Sequence, residues 1–169
     1  MEGGPLAVDE VLKGVFMETI DIYSKGEYPS NVLSNFYPNE FTFDGVICGG
    51  SMEGFLQSLK YKSIKKQQKI CLLSGKEAKK KGKYKFLWKL TGNIHWQGKK
   101  IKRQSKDYKD LILNTYIALS KNDEFIKALK ATENKALIHS LGNTEERKTI
   151  LTEKEFIDCL NYIRNLANK

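Results

Sequence analysis

Ser51-Met52-Glu53-Gly54-Phe55-Leu56-Gln57-Ser58-Leu59-Lys60-Tyr61 is the segment on which the rest of this chain turns. At 3.6 residues per turn, Glu53, Gln57 and Lys60 fall at i, i+4 and i+7 and share one helical face. Phe55, Leu56 and Leu59 take the opposite side and require a core. Ser51 is placed to cap the first turn. A carboxylate, an amide and an amine in one row supply an acid or base, an anchor and a nucleophile. The same row also suits a solvated polar face with Glu53 and Lys60 loosely paired. Gly54 points further, because glycine inside a helix costs about 1 kcal/mol against alanine. Its lack of a side chain allows close approach, either by a ligand or by a packed neighbour.

Upstream of this helix, residues 40–48 alternate around Asp44-Gly45. That dipeptide is a strong two-residue turn signal, so a hairpin is expected there, leading through Gly49-Gly50 into the helix. Before it, Leu33-Ser34-Asn35-Phe36-Tyr37-Pro38 reads as a loop. Its Ser and Asn can bond a ligand while Phe36 stacks on it, or they can satisfy a turn while Phe36 enters the core. Residues 24–31 carry turn residues and read as a loop. Residues 15–23 are rich in Val, Phe, Ile and Tyr and read as a strand. Residues 1–16 read as an N-terminal extension, a tail or a short helix around Val8–Lys13, and residues 17–169 as a single domain.

Downstream, residues 64–73 and 76–81 read as helices broken at Ser74-Gly75. Nine lysines between Lys65 and Lys85 make this region strongly basic, with Phe86, Leu87, Trp88 and Leu90 as apolar anchors. Residues 94–101 read as a strand-turn-strand or an ordered loop, with Gly98 as the turn. Trp96 within them is core or a stacking surface for a flat ligand. Ser105 opens a helix to residue 120, with Tyr108, Leu111, Ile112, Thr115, Tyr116 and Leu119 as its buried stripe. Residues 123–131 make a second helix, with Phe125, Ile126 and Leu129 apolar. His139-Ser140-Leu141-Gly142-Asn143 ends a short apolar run, where binding loops commonly begin. Thr152-Glu153-Lys154-Glu155 is a capping box opening a final helix, with Phe156, Leu160, Ile163 and Leu166 facing inward.

A chain of 169 residues favours one domain and buries a real core without staples. With 40% hydrophobic and 29% charged residues it falls in the ordinary globular class. Neither a membrane span nor a secretory signal is visible, so no membrane partner is expected. Cys48, Cys71 and Cys159 are odd in number and far apart, which favours a reducing, cytoplasmic setting over a disulfide framework. No Cys or His pair has zinc-ligand spacing, so no metal site is expected. The net charge of +9 suits either a phosphate-bearing partner or a surface kept soluble by lysine.

Taken together, Tyr23-Ser24, the 33–38 run, Asp44-Gly45 and Ser51-x-Glu53-x-Phe55-Leu56-Gln57-x-x-Lys60 resemble the N-terminal signature of NADAR domains. His95-Trp96-Gln97-Gly98-Lys99, Ser105-Lys106-x-Tyr108 and Ile138-His139-Ser140-Leu141-Gly142 resemble one branch of that family. The resemblance spans roughly residues 17–165, its motifs falling in order along the chain. It implies a compact, mostly helical α+β domain with a few short strands. It further implies an N-glycosidase that cleaves a ribose–base or ADP-ribose–guanine bond without metal or cofactor. Lys60 would be the amine nucleophile, passing through a Schiff base, and Glu53 would move the proton. Ser34, Asn35, Phe36, Gln57, Trp96, His139 and Gly142 would hold the substrate. The ligand would be ADP-ribose or a nucleotide-like molecule, with ADP-ribosylated nucleic acid as a further candidate. A riboflavin-pathway intermediate and a catalytically silent ADP-ribose-binding module are the alternatives. Gly54 and the Ser140–Asn143 run depart from the family pattern and leave the departing base undetermined.

Overall fold

The computed structural model describes residues 17–169. The expected extension over 1–16, its short helix and the first two residues of the 15–23 strand lie outside the described residues. The fold is a mostly helical α+β domain. It begins with strand β1 (Thr19–Asp21), a short helix α1 (Ser30–Leu33) and a hairpin of β2 (Phe41–Phe43) and β3 (Val46–Cys48). Next come α2 (Met52–Ser58), α3 (Ile64–Cys71), α4 (Gly75–Gly82) and α5 (Leu87–Thr91). A second hairpin, β4 (Asn93–Trp96) and β5 (Lys99–Lys102), leads to α6 (Lys106–Leu119) and α7 (Asp123–Lys130). Strand β6 (Ala136–Ile138) and the long helix α8 (Glu153–Ala167) complete the chain.

Local chemistry sets most of these elements. Asp44 and Gly45 both hold positive φ, 48° and 74°, which closes the first hairpin in the manner two-residue turns demand. Gln97 and Gly98, at 46° and 81°, do the same for the second. Ser105 accepts a hydrogen bond from Tyr108 N at the start of α6, whose buried face contains all six residues of the expected stripe. The capping box at Thr152 and Glu155 opens α8. Glu155 also takes a bidentate pair from the buried Arg103 at 2.8 and 2.7 Å, tying α8 to the end of β5.

Helix α2 is buried along its whole length, packed between α3 and α4. Gly54 explains part of that. A Cβ there would lie 3.0 Å from Ile70 O and 3.2 Å from both Cys71 O and Leu73 O. The missing side chain therefore admits the end of α3, not a ligand. The helix stops at Ser58, earlier than the row to Lys60 suggested. Lys60 N instead donates to Gln57 O at 3.3 Å, a tightened turn that carries Lys60 onward from the helix end.

Four expectations need correction. The 24–31 loop gives way at residue 30 to α1. Residues 136–138, read as a plain apolar run, form β6 and pair in parallel with β1, Ile20 opposite Leu137. Phe86, Leu87 and Leu90 are exposed and do not anchor the region, because a five-residue helix turns only Trp88 inward. Leu166 is likewise exposed in the last turn of α8. Among the described residues, no helix is long and apolar enough to cross a membrane.

Candidate functional site

A cleft of about 810 Å³ opens over α2. Its lining includes Ser34, Asn35, Phe36, Glu53, Gln57, Lys60, His139 and Gly142, drawn from three separate parts of the chain. Trp96 is not among them. It is 3% exposed, stacks on Phe43 at 5.9 Å, meets Phe55 edge-on at 4.9 Å and donates Nε1–H to Asp44 at 2.8 Å. Of the two roles weighed for Trp96, the structure gives it the core, because both apolar faces and its one donor are already taken.

The floor is built from α2. Ser51 Oγ caps the helix by accepting from Gly54 N at 3.2 Å. Gln57 donates Nε2–H to Glu53 Oε1 at 2.7 Å, one turn apart. Burial pushes the Glu53 carboxyl above its ordinary pKa, while the Gln57 bond and the charges of Lys79 and Lys60 pull it partly back. Among the described residues, the buried Gln57 Oε1 has no hydrogen-bond partner. It abuts Gly82, where a Cβ would lie 1.7 Å away, so α4 can close on the amide only through a glycine.

Lys60 stands at the edge of this floor. Burial lowers its pKa to about 8; Glu53 works against that shift, and Lys89 and Lys79 add to it. Its Nζ donates to Gly82 O at 3.3 Å and lies 5.9 Å from the Trp88 ring centroid. Among the described residues neither Lys60 nor Glu53 forms a direct ion pair. The lysine is thus desolvated and only loosely held, the condition in which an amine becomes a usable nucleophile near neutral pH.

The 33–38 loop supplies a second wall. Asn35 is fixed at both ends: Oδ1 accepts from Tyr116 OH at 2.6 Å, and its carbonyl accepts from Glu53 N at 2.8 Å. Ser34 Oγ accepts from Phe36 N at 3.3 Å. The Phe36 ring is half-buried with Lys79 Nζ 5.3 Å from its centroid. On the far side, pairing of β1 with β6 sets His139 Nδ1 to donate to Ile22 O at 2.6 Å, and its ring meets Phe156 edge-on at 5.2 Å. A carbonyl can only accept, so Nδ1 carries the proton and a neutral ring keeps Nε2 as an acceptor. Gly142 sits against this ring, since a Cβ there would come within 2.6 Å of His139 Cδ2.

The Lys65–Lys85 run reads from sequence either as a patch for a nucleic-acid substrate or as ordinary solubilising surface; of it, Lys76, Lys79, Lys80 and Lys83 line the cleft from α4 and the residue after it. Lys148 adds a further cation to the lining. Among the described residues, Glu53 is the only carboxylate on it. The lysine run was visible, but periodicity alone does not tell a cleft wall from a solvated face. Among the described residues, no cluster of three His, Cys, Asp or Glu could hold a metal ion, and all three cysteines are free and buried.

Comparison with known proteins corrects the family reading. The model of the family described as Bacteriophage protein GP30.3 matches residues 27–165. The chain is similar to a protein of Enterobacteria phage T4 named as the uncharacterized 17.1 kDa protein in the Gp30-rIII intergenic region. The two are 40% identical over 152 residues, covering 88% of this chain and 99% of the relative. No solved structure matches the chain. The NADAR assignment is overturned by this match. Its motifs were short runs of Ser, Asn, Gly and aromatic residues, types that turns and helix starts favour for local reasons in unrelated chains. The chain belongs to the Bacteriophage protein GP30.3 family.

Proposed function

We propose that this protein is an N-glycosidase that hydrolyses a ribose–base or ADP-ribose–base bond, with Lys60 as nucleophile and Glu53 as proton donor. The observation that carries the reading is the partly buried Lys60, its pKa lowered to about 8, in a cleft where, among the described residues, the buried Glu53 is the lone carboxylate. A buried carboxyl whose pKa is raised beside an amine whose pKa is lowered is the pair such a displacement needs. The lysines of α4 favour an anionic ligand such as a nucleotide or ADP-ribose.

In the first step the neutral Lys60 amine attacks the anomeric carbon. A C–N bond to lysine forms as the bond to the base breaks, and the base leaves with both electrons and the Glu53 proton. Lys60 nitrogen, having lost its proton to solvent, then expels the ring oxygen and forms a Schiff base. The ring oxygen takes up a proton. Water adds to the imine carbon, the amine departs, and Glu53 regains a proton from solvent. Asn35, held at both ends, is suited to orient a ribose hydroxyl.

The test is borohydride trapping during turnover, with an ADP-ribosylated guanine oligonucleotide and a pyrimidine-phosphate riboside run in parallel. Reduction should fix the mass of the sugar onto the peptide that contains Lys60. Binding of ADP-ribose with no base released from either substrate would move the protein to a binding module, a role the same lysine wall would serve.

A further inference from the structure

We infer that the ridge Lys83-Tyr84-Lys85-Phe86, between α4 and α5, binds single-stranded nucleic acid. Tyr84 is 75% and Phe86 58% exposed, an unusual placement for two large rings in a domain with a well-filled core. Cations and rings alternate along the ridge. Lys83 Nζ lies 5.5 Å from the Tyr84 centroid, and Lys85 Nζ lies 5.2 Å from the ring of neighbouring Tyr61. From residue 76 to residue 89 there are seven lysines and one acid, Glu77. That acid is occupied at the start of α4, accepting from Ser74 N at 3.3 Å and Ser74 Oγ at 3.0 Å. Among the described residues none of these seven lysines forms an ion pair, so the ridge suits a partner that combines negative charge with flat faces.

Single-stranded nucleic acid offers both, through phosphates for the lysines and unstacked bases for the rings. A duplex keeps its bases stacked and would engage the lysines alone. An anionic lipid surface is a poorer fit. A helix lying in that interface needs a long apolar face, and α5 has five residues with Trp88 turned inward. The ridge is also tied to the cleft mouth. Tyr61 OH donates to Lys81 O at 2.9 Å, Gly82 O accepts from Lys60, and Lys83 lines the cleft itself. A strand on the ridge would thus end at the cleft. This binding needs no chemistry at Lys60, so it stands apart from the glycosidase reading.

The experiment measures fluorescence anisotropy of the full chain with a labelled single-stranded oligonucleotide and with its duplex. Sedimentation with vesicles of phosphatidylserine and phosphatidylcholine runs beside it. The single strand should bind more tightly than the duplex, with affinity falling steeply as salt rises. Tyr84→Ala with Phe86→Ala should weaken single-strand binding about tenfold or more. The melting temperature should hold, because both rings are exposed. Tyr84→Phe with Phe86→Tyr should retain binding. Equal affinity for duplex, no effect of the double alanine variant, or binding to vesicles alone would each overturn the proposal.

Discussion

Helix α2 and the segment from α4 through α5 border one cleft and are built in opposite ways. All seven residues of α2 are buried, Glu53 and Gln57 included. In α4 only Gly75, Ala78 and Gly82 are buried, and in α5 only Trp88. The first region removes water from a few polar groups and so changes their chemistry. The second keeps its many lysines in water, where they attract an anion from a distance but react with nothing. Lys60 lies at the seam: burial lowers its pKa, and the neighbouring Lys89 and Lys79 lower it further. The contrast teaches that lysine count locates a surface, whereas lysine burial locates a reactive amine.

The sharpest way to break this comparison is at Lys60. Lys60→Arg keeps the charge and removes the nucleophile, since guanidinium stays protonated. Turnover should be abolished while ADP-ribose binding survives, as measured by base release and calorimetry. Near-normal turnover would remove Lys60 from the mechanism. Glu53→Gln comes next, with an expected loss on the order of 100- to 10,000-fold in kcat. The wild-type rate should climb as pH rises towards about 8, as the Lys60 amine deprotonates. A rate flat across that window would mean that Lys60 does not titrate in the limiting step.

Stability reads the same burial from another side. The Lys60 pKa drops on folding from 10.5 to about 8, so between those values the unfolded chain binds more protons. Stability should therefore rise with pH across that window, and Lys60 should weaken the fold below it. Lys60→Met should accordingly raise the melting temperature at pH 7 while ending turnover. A lower melting temperature would show that the lysine contributes more by its contacts than it costs by its charge.

The seam itself is open to test. Gly82→Ala puts a methyl where Gln57 Oε1 now sits and should push that amide off Glu53. The expected cost is about 1–3 kcal/mol of stability, seen in denaturant titration, together with a slower reaction. Unchanged stability would mean that α4 yields more easily than its packing suggests. At the other extreme, Lys65→Ala on the exposed face of α3 should alter stability by no more than about 0.5 kcal/mol. A larger change would mark that lysine as part of the architecture.

The sequence by itself determined the features that neighbours along the chain decide. Asp44-Gly45 and Gln97-Gly98 set two hairpins because their backbones tolerate positive φ. Ser105 and Thr152 opened two helices because their hydroxyls accept from amides three residues on. The row Glu53, Gln57 and Lys60 was legible from helical spacing. Tertiary structure alone decided whether that row met water. It buried α2 by bringing α3 and α4 around Gly54 and Gly82, and it paired β1 with β6 to bring His139 to the cleft. It also sent Trp96 into the core and left Tyr84 and Phe86 outside. A side chain's type states what chemistry it can do. Its pKa, its partners and its access to a ligand depend on desolvation by residues far away in sequence, which no local pattern encodes.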